Sequence, residues 1–264
     1  MIRLTREVRF NLVPGGGDRP VTNSWGGWPA AASISPAMVF RCTLAGQIDE
    51  TSGYLCNIKL IDDAIRQKVI KPACETYSQM TAESLTQFAF RQIKDEFPEN
   101  CQVEQLQLAS TATLEYTLHS ENPDMIQLTQ QFEFSASHRL HNADLSVEEN
   151  RRLFGKCNNP HGHGHNYVLK VTIEGMPDDN GRLVSLEAFE SLVKRDVIDC
   201  LDHKNLNVQV EAFQELNPSV EHIAMVIWNM LEDAVSKLGD GKARLACVRV
   251  YETPKTWAAY CGTA

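Results

Sequence analysis

What most constrains the fold of this 264-residue chain is that it runs twice through one order of strand-forming and helix-forming stretches. The first pass reads as a strand at 8–12, a Gly/Pro/Trp-rich loop through Pro29 and a strand at 38–46. A turn at 49–53 leads to a third strand at 54–60, helical stretches at 60–74 and 83–97, and a last strand or hairpin at 102–118. The second pass reads as a strand at 132–140, a long loop, a strand at 166–175 and a turn at 177–181. Helical stretches at 182–201 and 220–235 follow, and a strand pair at 243–261 closes the chain. Gly46 and Gly53 bracket the first turn as Gly175 and Gly181 bracket the second, and Glu83 and Glu221 open the corresponding late helices. Strands are read from period-two alternation (Leu106, Leu108; Val248, Val250), helices from i, i+3/i+4 spacing (Ile223, Val226, Ile227, Met230, Leu231). Such an order predicts an α+β fold of two tandem units, each an antiparallel four-stranded sheet with two helices on one face. SENPD breaks the pattern at 120–124, which divides the units at 1–121 and 125–264.

Composition narrows the function. Apolar residues at 43% can fill a sizeable core, and a net charge of −9 with no Lys/Arg-rich run excludes a nucleic-acid footprint. The opening MIRLTREVRF is too polar for a secretory core, no apolar stretch approaches membrane-spanning length, and the expected location is cytoplasmic. None of the eight cysteines forms a CxxC pair, so reduced, mostly buried thiols are expected. GGGDRP at 15–20 lacks the Gly-Lys-Ser/Thr ending of a phosphate-binding loop.

Seven of the eight histidines lie between residues 138 and 222, and only His119 precedes them. HGHGHNY leads into a strand, where residues two apart share a face, so His163 and His165 present their imidazoles to one point. His138, ending FEFSASH, is the natural third donor, which leaves the open position of a catalytic zinc. His161 has the same parity, but Pro160 places it in a loop; His141 is read as solvated. Cys157, six residues before His163, is either an inert small hydrophobe or a base. Its neighbours, LFGKCNNPHGHGH, are too polar for a core, and a thiol beside a cation deprotonates readily. Asp202 beside His203 can steer that ring's protonation, and Glu252 on the last long strand can grip an amidine-like edge by paired hydrogen bonds.

FSASHRL, LFGKCNNPHGHGHNY, LDHKNLN and VYET, taken in that order over residues 128–262, are similar to the 6-pyruvoyltetrahydropterin synthase family. The resemblance implies a tunnelling-fold (T-fold) unit with Zn2+ held by His138, His163 and His165. It makes Cys157 the proton-abstracting base, with Asp202 and His203 completing a relay, Glu252 anchoring a pterin ring and Glu221 assisting. Ser219 and Val220 replace the family's usual Thr-Thr, and His222 a usual Asn. The implied reaction converts 7,8-dihydroneopterin triphosphate to 6-pyruvoyltetrahydropterin, without an external redox cofactor. The six-residue interval from Cys157 to His163 resembles this branch rather than the related 6-carboxytetrahydropterin synthases, whose interval is shorter. A non-catalytic zinc- or pterin-binding assembly protein is the alternative from another class, and simple zinc binding needs none of Cys157, Asp202, His203 and Glu252. Family members form rings of subunits with sites between neighbours, so a homo-oligomer is expected, with no nucleic-acid or membrane partner.

The first half lacks the donors. Roughly opposite His138 stands Pro14, opposite the HGHGH cluster stands SISPA, and Cys74-Glu75 and Ser110 stand opposite Asp202-His203 and Glu252. Residues 1–121 are therefore expected to be a degenerate companion unit without a metal site.

Overall fold

A computed structural model describes residues 1–18, 25–31 and 34–262. Arg19 and Pro20 of the GGGDRP stretch, the loop residues 21–24 and Ser33 of SISPA lie outside the described residues. The chain forms two compact units, Met1–Leu128 with Gly175–Leu183, and Thr129–Glu174 with Val184–Ala264.

In the first unit β1 (Ile2–Asn11) pairs antiparallel with β2 (Ala37–Gly46). Helix α1 (Ile58–Ile65) continues through a π-helical turn, Arg66–Ile70, into α2 (Lys71–Thr76), and α3 spans Ala82–Ile93. β3 (Cys101–Ala109) and β4 (Leu114–His119) complete the sheet order β1-β2-β3-β4, antiparallel throughout. Alternation puts Phe10, Phe40, Leu44, Leu106 and Leu108 on one buried face, against Ile61, Ile65 and Ile93 of the helices. Phe10 and Phe40 stack with ring centroids 5.1 Å apart.

The expected strand at 54–60 is absent. Leu55 and Cys56 are buried in an irregular turn, and Asn57 caps α1 by accepting the Lys59 N–H. A capped helix satisfies backbone donors that an isolated third strand would leave open, so Ile61, Ala64 and Ile65 are buried at helical spacing. The first unit therefore runs β-β-α-α-β-β, and β1 begins six residues before the expected strand start at 8.

The second unit takes in β5 (Ile126–His138) from Thr129 onward, α4 (Val147–Phe154) and β6 (His163–Gly175). α5 (Leu186–Val193) also runs on through a π-helical turn, Lys194–Ile198, into α6 (Asp199–Leu201). The short β7 (Lys204–Asn205) pairs parallel with Ala136 and Ser137, followed by α7 (Leu206–Gln209), α8 (Val220–Val235), β8 (Arg244–Thr253) and β9 (Thr256–Tyr260). The long strands lie in the order β5-β6-β8-β9. Tyr167, Leu169, Val171 and Ile173 of β6 are buried at period two, under Ile223, Ile227 and Leu231 of α8 and Phe189 of α5. Both sheets shift register three residues before the glycine that ends the second strand, at Thr43/Leu44 and at Thr172/Ile173.

Helices therefore cover one face of each antiparallel sheet, which is the α+β arrangement the order predicts. Reduced thiols fail as an expectation at one pair. Cys247 and Cys261 meet across β8 and β9 with Cα atoms 4.1 Å apart and are joined as a disulfide. Cys42, Cys56, Cys74, Cys101, Cys157 and Cys200 form no disulfide. No helix among the described residues is long and apolar enough to cross a membrane.

Candidate metal centre

Three neighbouring strands of the second unit end at one place with their helix-covered faces aligned. On β5 burial alternates through Phe134, Ala136 and His138, so the last residue points its ring inward. On β6 the same parity runs from His163 and His165 to Tyr167, and on β8 from Val248 and Val250 to Glu252. His138, His163, His165 and Glu252 thus offer four ligand atoms, all within 4.8 Å of one another. Among the described residues it is the only group of three or more such side chains able to hold a metal.

The spacings test the fit. His138 Nε2 lies 3.2 Å from His163 Nε2, and Glu252 Oε1 lies 3.4 Å from the Nε2 atoms of both His138 and His165. Tetrahedral ligands bonded to zinc at about 2.0–2.1 Å stand roughly 3.3–3.4 Å apart. His165 Nε2 is buried with no hydrogen-bond partner, a cost that a bound cation removes. The His138 Nδ1–H donates to the Pro218 carbonyl at 2.7 Å, which fixes the tautomer and leaves the Nε2 lone pair facing the cluster. Burial lowers the pKa of His138, which is 0% exposed, and also that of His165, where Glu252 opposes the shift. Neutral imidazole is the ligating form, so these surroundings suit a divalent metal.

Gly162 leads into β6 at φ +70°, and a Cβ there would stand 2.9 Å from the His138 carbonyl oxygen. Only glycine allows this approach, which brings the histidine-bearing ends of β5 and β6 together. Cys157 sits half-buried in the short turn Gly155–Asn158, and its carbonyl accepts the Leu140 N–H at 2.9 Å, just beyond His138. Its sulfur is an electrostatic neighbour of Tyr167, as is Glu252.

Asp202 and His203 are bound to each other, His203 Nδ1 lying 2.7 Å from Asp202 Oδ2. Both are stitched to β5: the Ser135 N–H donates to Asp202 Oδ1 at 2.7 Å, and the His203 N–H to the Ser135 carbonyl at 2.6 Å. The bond from the Ser135 amide, aided by His203, holds the Asp202 carboxyl below its ordinary range. His203 adopts φ +57°, and its side chain is 84% exposed. Among the described residues nothing brings this pair into contact with the four-ligand cluster or with Cys157. Glu221 lies in the first turn of α8, three residues after Pro218, where its own backbone N–H and the Ser219 hydroxyl lower its pKa.

His161 is exposed and outside the cluster. His141 is not solvated as expected: it is half-buried, and Arg139 and Asn158 both donate to its Nδ1. Sequence reasoning missed Pro218 and Tyr167. Tyr167 packs edge-on to His165 at 5.5 Å, and its buried hydroxyl has no partner. Its parity with His163 and His165 was the available signal.

The 6-pyruvoyl tetrahydropterin synthase family matches residues 127–263. The 6-pyruvoyl tetrahydrobiopterin synthase of Homo sapiens is 39% identical over 137 residues, covering 52% of this chain and 91% of that protein. A probable 6-carboxy-5,6,7,8-tetrahydropterin synthase of Halobacterium salinarum is 31% identical over 160 residues, covering 55% of this chain and 89% of that protein. The solved Caenorhabditis elegans 6-pyruvoyl tetrahydropterin synthase is 36% identical, covers 53% of this chain and 96% of its own, and has a TM-score of 0.48. The matched residues include all four members of the cluster, and the chain belongs to the 6-pyruvoyl tetrahydropterin synthase family, as a pterin synthase of the carbon–oxygen lyase type.

Proposed function

We propose that the protein converts 7,8-dihydroneopterin triphosphate to 6-pyruvoyltetrahydropterin and triphosphate, with zinc held by His138, His163 and His165. The convergence of those three imidazoles and Glu252 on one point, with a buried His165 Nε2 that makes no hydrogen bond, carries this reading. Zinc bound there supplies Lewis acidity to the substrate's side-chain hydroxyls. Cys157, at the entrance to β6, takes protons from the side-chain carbons. Triphosphate leaves by elimination, and the hydrogens lost from the side chain reduce the ring, so the balance needs no outside oxidant or reductant. The greater identity to the human pyruvoyl-forming protein than to the Halobacterium carboxy-forming one favours the pyruvoyl product.

The two glutamates divide the remaining work. Glu252 was the expected ring anchor, yet its Oε1 lies against two imidazoles, so it serves the part of the substrate nearest the metal. Glu221, ionised and exposed at the start of α8, is then the carboxylate available to the pterin's amidine edge. Asp202 orients His203 so that the ring's other nitrogen faces outward. That exposure suits a relay completed between copies of the chain, and we read the protein as a homo-oligomer on this ground. We further read the two units as tandem T-fold copies, the first degenerate. Matching sheet order, π-helical turns and register shifts support the duplication.

The test is to incubate zinc-loaded protein with 7,8-dihydroneopterin triphosphate and identify the pterin by mass. The pyruvoyl product is expected. A carboxy product would move the chain to the sister reaction, and no turnover with zinc bound would remove both.

A further inference from the structure

We infer that the cavity beside the metal centre, walled by Arg139 and His141, holds the triphosphate arm of the substrate; this rests on the function proposed above. The cavity encloses about 550 Å³. Arg139 follows the ligand-bearing His138, and Gly162, which also lines the cavity, precedes His163, so the space begins one residue from two metal donors.

The chain leaving His138 belongs to no helix or strand, yet every residue from 139 to 142 is pinned by an asparagine. The Arg139 N–H donates to Asn207 Oδ1 at 2.7 Å, and Asn207 Nδ2 donates back to the Arg139 carbonyl at 2.9 Å. Asn158 Nδ2 donates to the Leu140 carbonyl at 2.7 Å, and the His141 N–H donates to Asn217 Oδ1 at 3.1 Å. Asn150 clamps Asn142 at both its N–H and its carbonyl, each at 2.8 Å. Irregular backbone held this completely fixes where the side chains of Arg139 and His141 start.

Those side chains are arranged as donors. Arg139 Nη2 and Asn158 Nδ2 both approach His141 Nδ1, at 3.3 and 3.0 Å, so Nδ1 accepts and the proton sits on Nε2. Arg139 Nε donates to the Asn158 carbonyl at 3.3 Å, and Nη1 has no protein partner among the described residues. A permanently charged Nη1 and an Nε2–H donor are the complement of phosphate oxygens. Asp144 and Glu215 also line the cavity and are exposed. Their charge confines an anion to the Arg139–His141 side, towards the metal. The reacting carbons and the leaving group are then held by neighbouring parts of one segment.

The experiment titrates inorganic triphosphate, and separately 7,8-dihydroneopterin, into the zinc-loaded full chain by calorimetry. Arg139→Gln is expected to weaken triphosphate binding by about tenfold or more, with zinc content and dihydroneopterin binding unchanged. Arg139→Lys recovers part of the affinity, and KM for the triphosphate substrate rises in the Gln variant. Equal triphosphate affinity in wild type and Arg139→Gln, or no triphosphate binding by wild type, overturns the inference. If Arg139→Gln loses its zinc through misfolding, His141→Gln decides: unchanged triphosphate binding overturns the inference, and weakened binding supports it. Triphosphate binding through Arg139 without pterin turnover would keep the cavity assignment and remove the enzymatic reading.

Discussion

His138 is the residue on which the centre is most dependent. It is wholly buried, oriented by Pro218, and in contact with both other imidazoles and with Glu252. The histidines were legible because strand parity alone places His163 and His165 together. The Pro218 carbonyl was not, because it lies 80 residues from its partner and carries no side-chain signature. Without metal, His138 and His165 are neutral in the fold and hold their pKa values below the ordinary value of about 6.5. The unfolded chain then binds more protons between the folded values and 6.5. Stability is therefore fully present above about 6.5 and is lost as pH falls through the folded values. The thermal midpoint of metal-free protein should fall with pH in that window, and His138→Gln should flatten the slope; an unchanged slope contradicts burial as the cause. Cys157→Ser should abolish pterin formation while leaving zinc content intact, read by product mass and metal analysis.

At the scale of elements, the sequence is misleading at 54–60 because alternation of Tyr54, Cys56 and Ile58 imitates a strand. Asn57 is the residue that decides, as the cap of α1. Ser185 plays the same part for α5 by accepting the Ala188 N–H. Asn57→Ala and Ser185→Ala should each cost about 1 kcal/mol in denaturant unfolding. A cost near zero for Asn57 would mean that the turn, rather than the cap, sets the start of α1. The π-helical turns after α1 and α5 were invisible in advance, because no residue type or short motif marks where i→i+5 bonding replaces i→i+4. Long strands with one covered face were the most legible elements. Phe10, stacked on Phe40 in the first unit, belongs to this class, and Phe10→Ala should cost about 3–5 kcal/mol.

At the scale of the molecule, the two units share an order of elements but not a chemistry. Glu83 occupies the same place at the start of α3 as Glu221 does on α8, yet it is buried and accepts the Leu183 N–H at 3.2 Å. Burial raises its pKa, so its contribution is fully present below the unfolded value of about 4.3 and is lost as pH rises through the folded one. Glu83→Gln keeps the acceptor and removes the buried charge, and should raise the thermal midpoint at pH 7; a lower midpoint would mean that the ionised form is needed. On the function proposed above, the metal chemistry belongs to the second unit alone. Zinc counted per purified, fully loaded chain tests this most directly. One zinc per chain is expected, lost in His165→Ala. Two zincs per chain, or one that survives His165→Ala, would contradict it.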